Sequence, residues 1–269
     1  MIKRIYRFPI DFLEEWSIGF ADRVFVNSRY TGGVFRQTFT RLPFIQPQVL
    51  YPALNSGQFD RFVDSLDQNN LPVNIGSRFF VSLNRFERKK NVNLALEAMA
   101  ELKLRLTQEQ WQNCHLVVAG GYDKRVAENV DHFEELVKLC EKLQIADNVT
   151  FMRSPSDETK IALLRNCLAV LYTPSGEHFG IVPLEAMYCE RPVIAVDDGA
   201  GPTESVVNKS TGFLVSDSPS EFSSCMRYFY LSPEKSVEFG RNGKNRVSEA
   251  FSFEKFSNDL NSTLLGCFE

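Results

Sequence analysis

From Arg78 onward the chain repeats one unit: a short unbroken apolar run, a turn, then a stretch with apolar residues at helical spacing. The runs are RFFVSL (78–83), CHLVVAG (114–120), NVTFM (148–152), CLAVLYT (167–173), PVIAV (192–196) and GFLV (212–215). Runs without polar alternation predict strands buried on both faces. The amphipathic stretches between them, such as 91–106 and 129–144, predict the helices that cover those faces. The fold class is therefore α/β, a doubly wound parallel sheet, in which a ligand binds beyond the carboxyl ends of the strands.

The first 55 residues do not follow that repeat. DRVFVNS (22–28) predicts one strand and YTGGVFRQTF (30–39) one helix, and QVLYPALN (48–55) leads into a polar stretch at 56–77. One or two such units cannot bury both faces of a sheet. Residues 1–55 are expected to be the tail of an N-terminal domain with its linker, and 56–269 a C-terminal domain closed by two helices after Pro233. The opening MIKRIYRFPIDFLEEWSIGF predicts a charged, aromatic, amphipathic helix packed against the body, with contact to a membrane surface as the alternative.

A net charge of −4 argues against a general nucleic-acid binder, whose footprint is basic. The six cysteines, Cys114, Cys140, Cys167, Cys189, Cys225 and Cys267, have no paired spacing, and several fall in core-like runs. That pattern fits reduced thiols in a cytosolic environment, where sequons at Asn148, Asn208 and Asn261 go unused. No apolar run reaches membrane-spanning length.

Two strand-to-helix turns fall on the ligand-binding edge. The first, NRFERKKN, carries Arg85, Arg88, Lys89 and Lys90 against Glu87, a charge that suits a diphosphate; a solvated basic turn is the alternative. The second, SGEHFGIVPLEAMYCERP, predicts a helix from about Gly180, whose first-turn N–H groups near Gly180, Ile181 and Val182 can cradle phosphate oxygens. Glu177 lies before that helix and Glu185 about a turn and a half inside it. A carboxylate repels phosphate but binds hydroxyls in bidentate fashion, and a nucleotide sugar has hydroxyls on both sides of its diphosphate. The plain alternative is a loop acid followed by a surface acid. Gly120 and Gly121 end a strand where a nucleotide approaches, or form a simple turn. Ser154 is a base-contact position or a structural loop. His178 is assigned positioning or packing. His115 and His132 lack a partner at metal spacing, and Met187 and Tyr188 are expected in the core.

Glu177 and Glu185 match the paired acids, seven residues between them, of glycosyltransferase family 4, the retaining GT-B enzymes. Arg85 and Lys90 match that family's strand-end Arg and its Lys five residues on, and the chain resembles the family over nearly its whole length. YRFPIDFLEEW, VNSRYT, VLYPALN and RPVIAV narrow the resemblance to the branch that transfers mannose onto dolichol-linked oligosaccharide. The resemblance implies a GT-B donor domain, Rossmann-like, preceded by a remnant of the N-terminal domain. It implies GDP-mannose as donor, a dolichyl-diphosphate-linked oligosaccharide as acceptor, α-1,3 and α-1,6 linkages in N-glycan precursor assembly, and work at the cytosolic face of the endoplasmic reticulum membrane. Arg85 and Lys90 would neutralise the leaving diphosphate, Glu185 would hold the ribose and Glu177 the mannose. Phe179, Gly180, Ile181, Val182, Gly120, Gly121, Ser154 and Gly201 would complete the donor site. No cofactor and no metal are expected, since the Arg–Lys pair supplies the charge and no Asp-x-Asp motif adjoins it.

Two departures from the family stand out. Most of the N-terminal domain, with the acceptor surface, is absent from the sequence, so donor binding without transfer is the expectation for this chain alone. The loop VDDGAGPTESV carries an extra residue where relatives read Gly-Gly-Pro-x-Glu, and the resemblance places Gly201 and Glu204 near the donor sugar. A nucleotide-sugar-binding fragment without turnover is the second reading. A nicotinamide oxidoreductase is the third, disfavoured because the first strand of the repeat lacks a G-x-G-x-x-G turn.

Overall fold

The computed structural model describes residues 2–61, 71, 75 and 78–266. Most of the polar stretch 62–77, together with Cys267, lies outside the described residues. The chain opens with α1 (Ile2–Ile18), β1 (Phe25–Val26), α2 (Arg29–Thr38), β2 (Gln48–Val49) and α3 (Ser56–Asp60). β1 and β2 form a small parallel pair of their own. The repeat then runs β3 (Arg78–Leu83), α4 (Val92–Lys103), α5 (Gln108–Gln112), β4 (Cys114–Gly120), α6 (Ala127–Lys142) and β5 (Val149–Arg153). It continues through α7 (Asp157–Asn166), β6 (Val170–Tyr172), α8 (Val182–Tyr188), β7 (Val193–Val196), α9 (Pro202–Ser205) and β8 (Gly212–Val215). Helices α10 (Pro219–Leu231), α11 (Pro233–Ala250) and α12 (Phe253–Leu265) close it.

β3 to β8 make one parallel sheet in the order β5-β4-β3-β6-β7-β8. The chain steps outward from β3 through β4 to β5, then returns to lay β6 on the other edge of β3, with Val81 opposite Val170. That reversal creates a crevice at the carboxyl ends of β3 and β6. Alternation along the strands loads both faces. Phe80, Leu116, Leu171 and Ile194 pack toward α4 and α10, while Phe79, Val81, Val117, Val170 and Val193 pack toward α7 and α8. Each such side chain contributes about 1.5–3 kcal/mol on burial, so the crevice rests on a rigid floor.

Differences from the expected elements have local causes. β5 begins at Val149 because the Asn148 amide turns in to donate to the carbonyls of Trp111 and Cys114, both at 2.9 Å. β6 begins at Val170 because Cys167 still closes α7, its N–H bonded to the Leu163 carbonyl at 3.1 Å. The helix α1 forms, but its described apolar side chains are not buried: Trp16 is 57% exposed, and Ile10, Phe12 and Leu13 are exposed too, as is Phe20 just beyond its end. Its contacts are made with the turn after α2, where Glu15 accepts the Arg41 N–H at 2.6 Å and the Arg41 guanidinium lies over Phe12. Tyr188 is only half-buried, with its hydroxyl donating to Asp60 at 2.8 Å, whereas Met187 is in the core. Burial pushes the thiols of Cys114, Cys140, Cys167 and Cys189 up to about 12, which makes them unreactive.

Candidate active site

A cleft of about 710 Å³ opens at the carboxyl ends of β3, β4, β5 and β6. The turn after β3 forms one wall. It is pinned to β4 by the Asn84 N–H on the Ala119 carbonyl at 2.9 Å and the Phe86 N–H on the Gly121 carbonyl at 3.2 Å. Gly120 makes that contact possible: a Cβ there would stand 1.9 Å from the Asn84 carbonyl oxygen. Its absent side chain therefore admits the neighbouring turn, a role distinct from nucleotide approach. The four cations separate. Arg88 pairs with Glu135 at 2.6 Å and Lys89 with Glu87 at 3.2 Å, and neither lines the cleft. Arg85 and Lys90 do. Arg85 is 61% exposed and 3.0 Å from Glu87. Lys90 is only 12% exposed, its carbonyl held by the Thr173 hydroxyl at 2.7 Å and its ammonium paired with Glu177.

The loop after β6 forms the other wall. The Glu177 carbonyl accepts the Gly201 N–H at 2.8 Å, the His178 carbonyl accepts the Ser28 hydroxyl, and Tyr172 donates to the Glu177 carboxylate at 3.0 Å. Gly180 has φ of 80°, and a Cβ there would fall 2.5 Å from the Tyr172 hydroxyl. That left-handed residue delays α8 to Val182, so Glu185 sits in its first turn. There Lys160 of α7 meets Glu185 at 3.1 Å, with Lys160 19% exposed. Three cations and two carboxylates thus interleave along the lining. Burial opposes ionisation of Glu177, but the hydrogen bonds and charge of Lys90 and the Tyr172 hydroxyl hold its carboxyl below the usual range. Burial, then the Glu177 charge, pushes the Tyr172 phenol well up, so it stays a donor.

The cleft brings together Arg85, Lys90, Gly120, Gly121, Ser154, Glu177, Phe179, Gly180, Ile181, Val182 and Glu185. The Ser154 hydroxyl is engaged by its own chain, accepting the Tyr122 N–H at 3.0 Å. Gly201 and Glu204 are not in the lining. Gly201 lies under the loop, where a Cβ would be 2.2 Å from the Phe179 Cα. Pro202 starts α9, which turns Glu204 toward α2, where its carboxylate takes the N–H groups of Arg29 and Tyr30, both at 3.0 Å, and the Tyr51 hydroxyl at 2.8 Å. His178 is oriented by Thr31, 2.9 Å from its Nδ1. His115 sits 2.8 Å from the Thr150 hydroxyl, and burial pushes its pKa down. Polar lining residues not singled out from sequence are Asn27, Asn84, Lys160 and Tyr172. Tyr172 had one signal, its place at the end of an apolar run; Lys160, on a later helix, had none. Among the described residues no three His, Cys, Asp or Glu side chains gather as a metal site. Nor is any described helix long and apolar enough to cross a membrane.

A Rossmann-like sheet with alternating cations and carboxylates at its switch point is the C-terminal domain of the GT-B architecture. The sequence model of the family described as Glycosyl transferases group 1 matches residues 65–246, and the chain belongs to that family. It is 50% identical over 260 residues to the alpha-1,3/1,6-mannosyltransferase ALG2 of Mus musculus, and 50% identical to that of Homo sapiens. Each alignment covers 96% of this chain and 62% of the relative, so the chain spans about three-fifths of the length of these relatives. Among solved structures, sucrose-phosphate synthase of Thermosynechococcus elongatus superposes with a TM-score of 0.78 at 22% identity, covering 96% of this chain and 61% of that one.

Proposed function

We propose that the protein acts in transfer of mannose, with retention of configuration, from GDP-mannose to a dolichyl-diphosphate-linked oligosaccharide. The proposed linkages are α-1,3 and α-1,6, made at the cytosolic face of the endoplasmic reticulum membrane. One observation carries the reading: the two acids of the motif line one cleft, and each is paired with a lysine from a different turn or helix. The names of the 50%-identical relatives support mannose as the sugar.

The chemistry follows from the placement. Lys90 has its backbone fixed by Thr173, so its ammonium can leave Glu177 for a phosphate oxygen with only side-chain motion. The exchange frees the Glu177 carboxylate to accept hydroxyls of the sugar. Arg85 and Lys90 then face the negative charge that grows on the diphosphate as the glycosidic bond lengthens, where a preorganised cation lowers the barrier most. At the other end Glu185, steadied by Lys160, accepts the ribose hydroxyls. No metal enters this scheme, because the two cations of the first turn supply the neutralising charge.

The test is a transfer assay with the full-length protein, comparing GDP-mannose and UDP-glucose on a short mannosylated chitobiose lipid, with the product anomer read by NMR. An α-linked mannose product from GDP-mannose is expected. A β-linked product, or preference for the uridine donor, overturns the proposal.

A further inference from the structure

We infer that Asn84 is a further binding residue of the cleft, whose side-chain amide donates to a β-phosphate oxygen of the bound nucleoside diphosphate. This rests on the donor-site reading above. Asn84 follows β3 at the switch point and lines the cleft, yet only 8% of it is exposed. Its Nδ2 is fully buried and, among the described residues, has no hydrogen-bond partner. A buried amide donor left without an acceptor is destabilising, and of the buried atoms without a partner among the described residues Asn84 Nδ2 alone belongs to a residue that lines the cleft.

The fold itself makes no demand for this side chain. The backbone of residue 84 does the structural work, through its N–H on Ala119 and its carbonyl packed on Gly120. The other orphan on the strand, the Ser82 hydroxyl, lies outside the cleft lining, so the inference is confined to Asn84.

Chemistry selects the acceptor. Glu177 and Glu185 already offer acceptors to hydroxyls, and a hydroxyl that donates to them needs nothing from an amide. A diphosphate has acceptors only, and Asn84 adjoins Arg85 in the turn that also supplies Lys90. A neutral donor beside two cations adds direction to a contact that charge alone leaves loose.

The experiment is calorimetry of GDP and GMP with the wild type, Asn84→Ala, Asn84→Asp and Lys90→Ala, each with a thermal melt. Asn84→Ala should weaken GDP about tenfold, as expected for one hydrogen bond to a charged group. GMP affinity should hold within about twofold, because GMP has no β-phosphate, and the melt should match or exceed wild type as an unpaired buried amide is removed. Asn84→Asp, the same shape with a negative charge, should weaken GDP further still. The inference falls if Asn84→Ala binds GDP like wild type, if GMP weakens as much as GDP, or if the variant melts far below wild type, which would make the amide structural. GDP binding that depends on Lys90 but not on Asn84 overturns the inference and leaves the donor-site reading standing. No GDP affinity in the wild type overturns both.

Discussion

Lys90–Glu177 and Lys160–Glu185 are both lysine–carboxylate pairs on the wall of one cleft, but they are held differently. Lys90 and Glu177 come from the turns after β3 and β6, neighbouring strands at the switch point. Each has its backbone tied: Lys90 to Thr173, Glu177 to Gly201. Tyr172 adds a third bond, to the Glu177 carboxylate itself. Lys160 and Glu185 stand on α7 and α8, and their separation depends on how those helices pack; the other supports of Lys160 are Asp157 at 3.9 Å and the Phe59 ring. A pair fixed by the sheet can exchange partners without moving its backbone, which suits groups that act as charge shifts. A pair fixed by helix packing suits steady contact with a part of the ligand that does not react.

The largest effect should come from Lys90→Ala, which removes the buried cation of the fixed pair. A loss of about 3–4 kcal/mol of transition-state stabilisation is expected, by analogy with a lost oxyanion donor. Lys160→Ala should act mainly on donor affinity, by about tenfold. Steady-state kinetics on the full-length protein separates the two, and equal losses in kcat at both positions would break the comparison.

The acids should divide next. Glu185→Ala should weaken GDP and GDP-mannose alike, about tenfold or more, because the ribose is common to both. Glu177→Ala should slow transfer while leaving GDP affinity within about threefold. Titrations in which Glu177→Ala loses GDP as badly as Glu185→Ala would show that the two pairs share one role.

Tyr172→Phe should cost about 1 kcal/mol of stability, the worth of one hydrogen bond. It also sharpens the comparison through pH. The folded-state pKa of Glu177 is depressed, so its contribution is complete above the ordinary carboxylate range and is lost as pH falls through the folded value. Without the Tyr172 hydroxyl that folded value rises, and acid unfolding should begin at higher pH in Tyr172→Phe than in wild type. Melts recorded stepwise into acid check this; superimposable acid limbs would remove Tyr172 from the fixed pair.

The smallest effects belong to Arg88→Ala and Lys89→Ala. Both cations are half or more exposed and paired away from the cleft, so each variant should melt and transfer like wild type. A large loss at either would mean that the whole basic turn, rather than Arg85 and Lys90, faces the ligand.

The sheet was legible in the sequence because burial on both faces leaves unbroken apolar runs, and β3, β4 and β8 match their runs residue for residue. Arg85, Lys90, Glu177 and Glu185 were legible because each follows a strand end in a strand-to-helix turn, whereas Lys160, on α7, carried no such signal. Their pairing was not. Whether Lys90 meets Glu177 or Lys89 meets Glu87 depends on the direction a short 3₁₀ turn imposes, and no local pattern encodes it. The partners of Glu204 were not legible either: Pro202 starts a one-turn helix that turns the carboxylate to the start of α2. The exposed face of α1 escaped because an amphipathic pattern reports that a face is apolar and says nothing about what covers it.

The ties between the first layer and the loop after β6 have a mechanical consequence. Ser28 grips the His178 carbonyl, Thr31 grips the His178 ring, and the start of α2 is anchored on Glu204, three residues beyond the Gly201 that holds Glu177. These bonds join the start of α2 to the loop that carries Glu177, so any shift of α2 bears on the segment whose carboxylate sits beside Lys90.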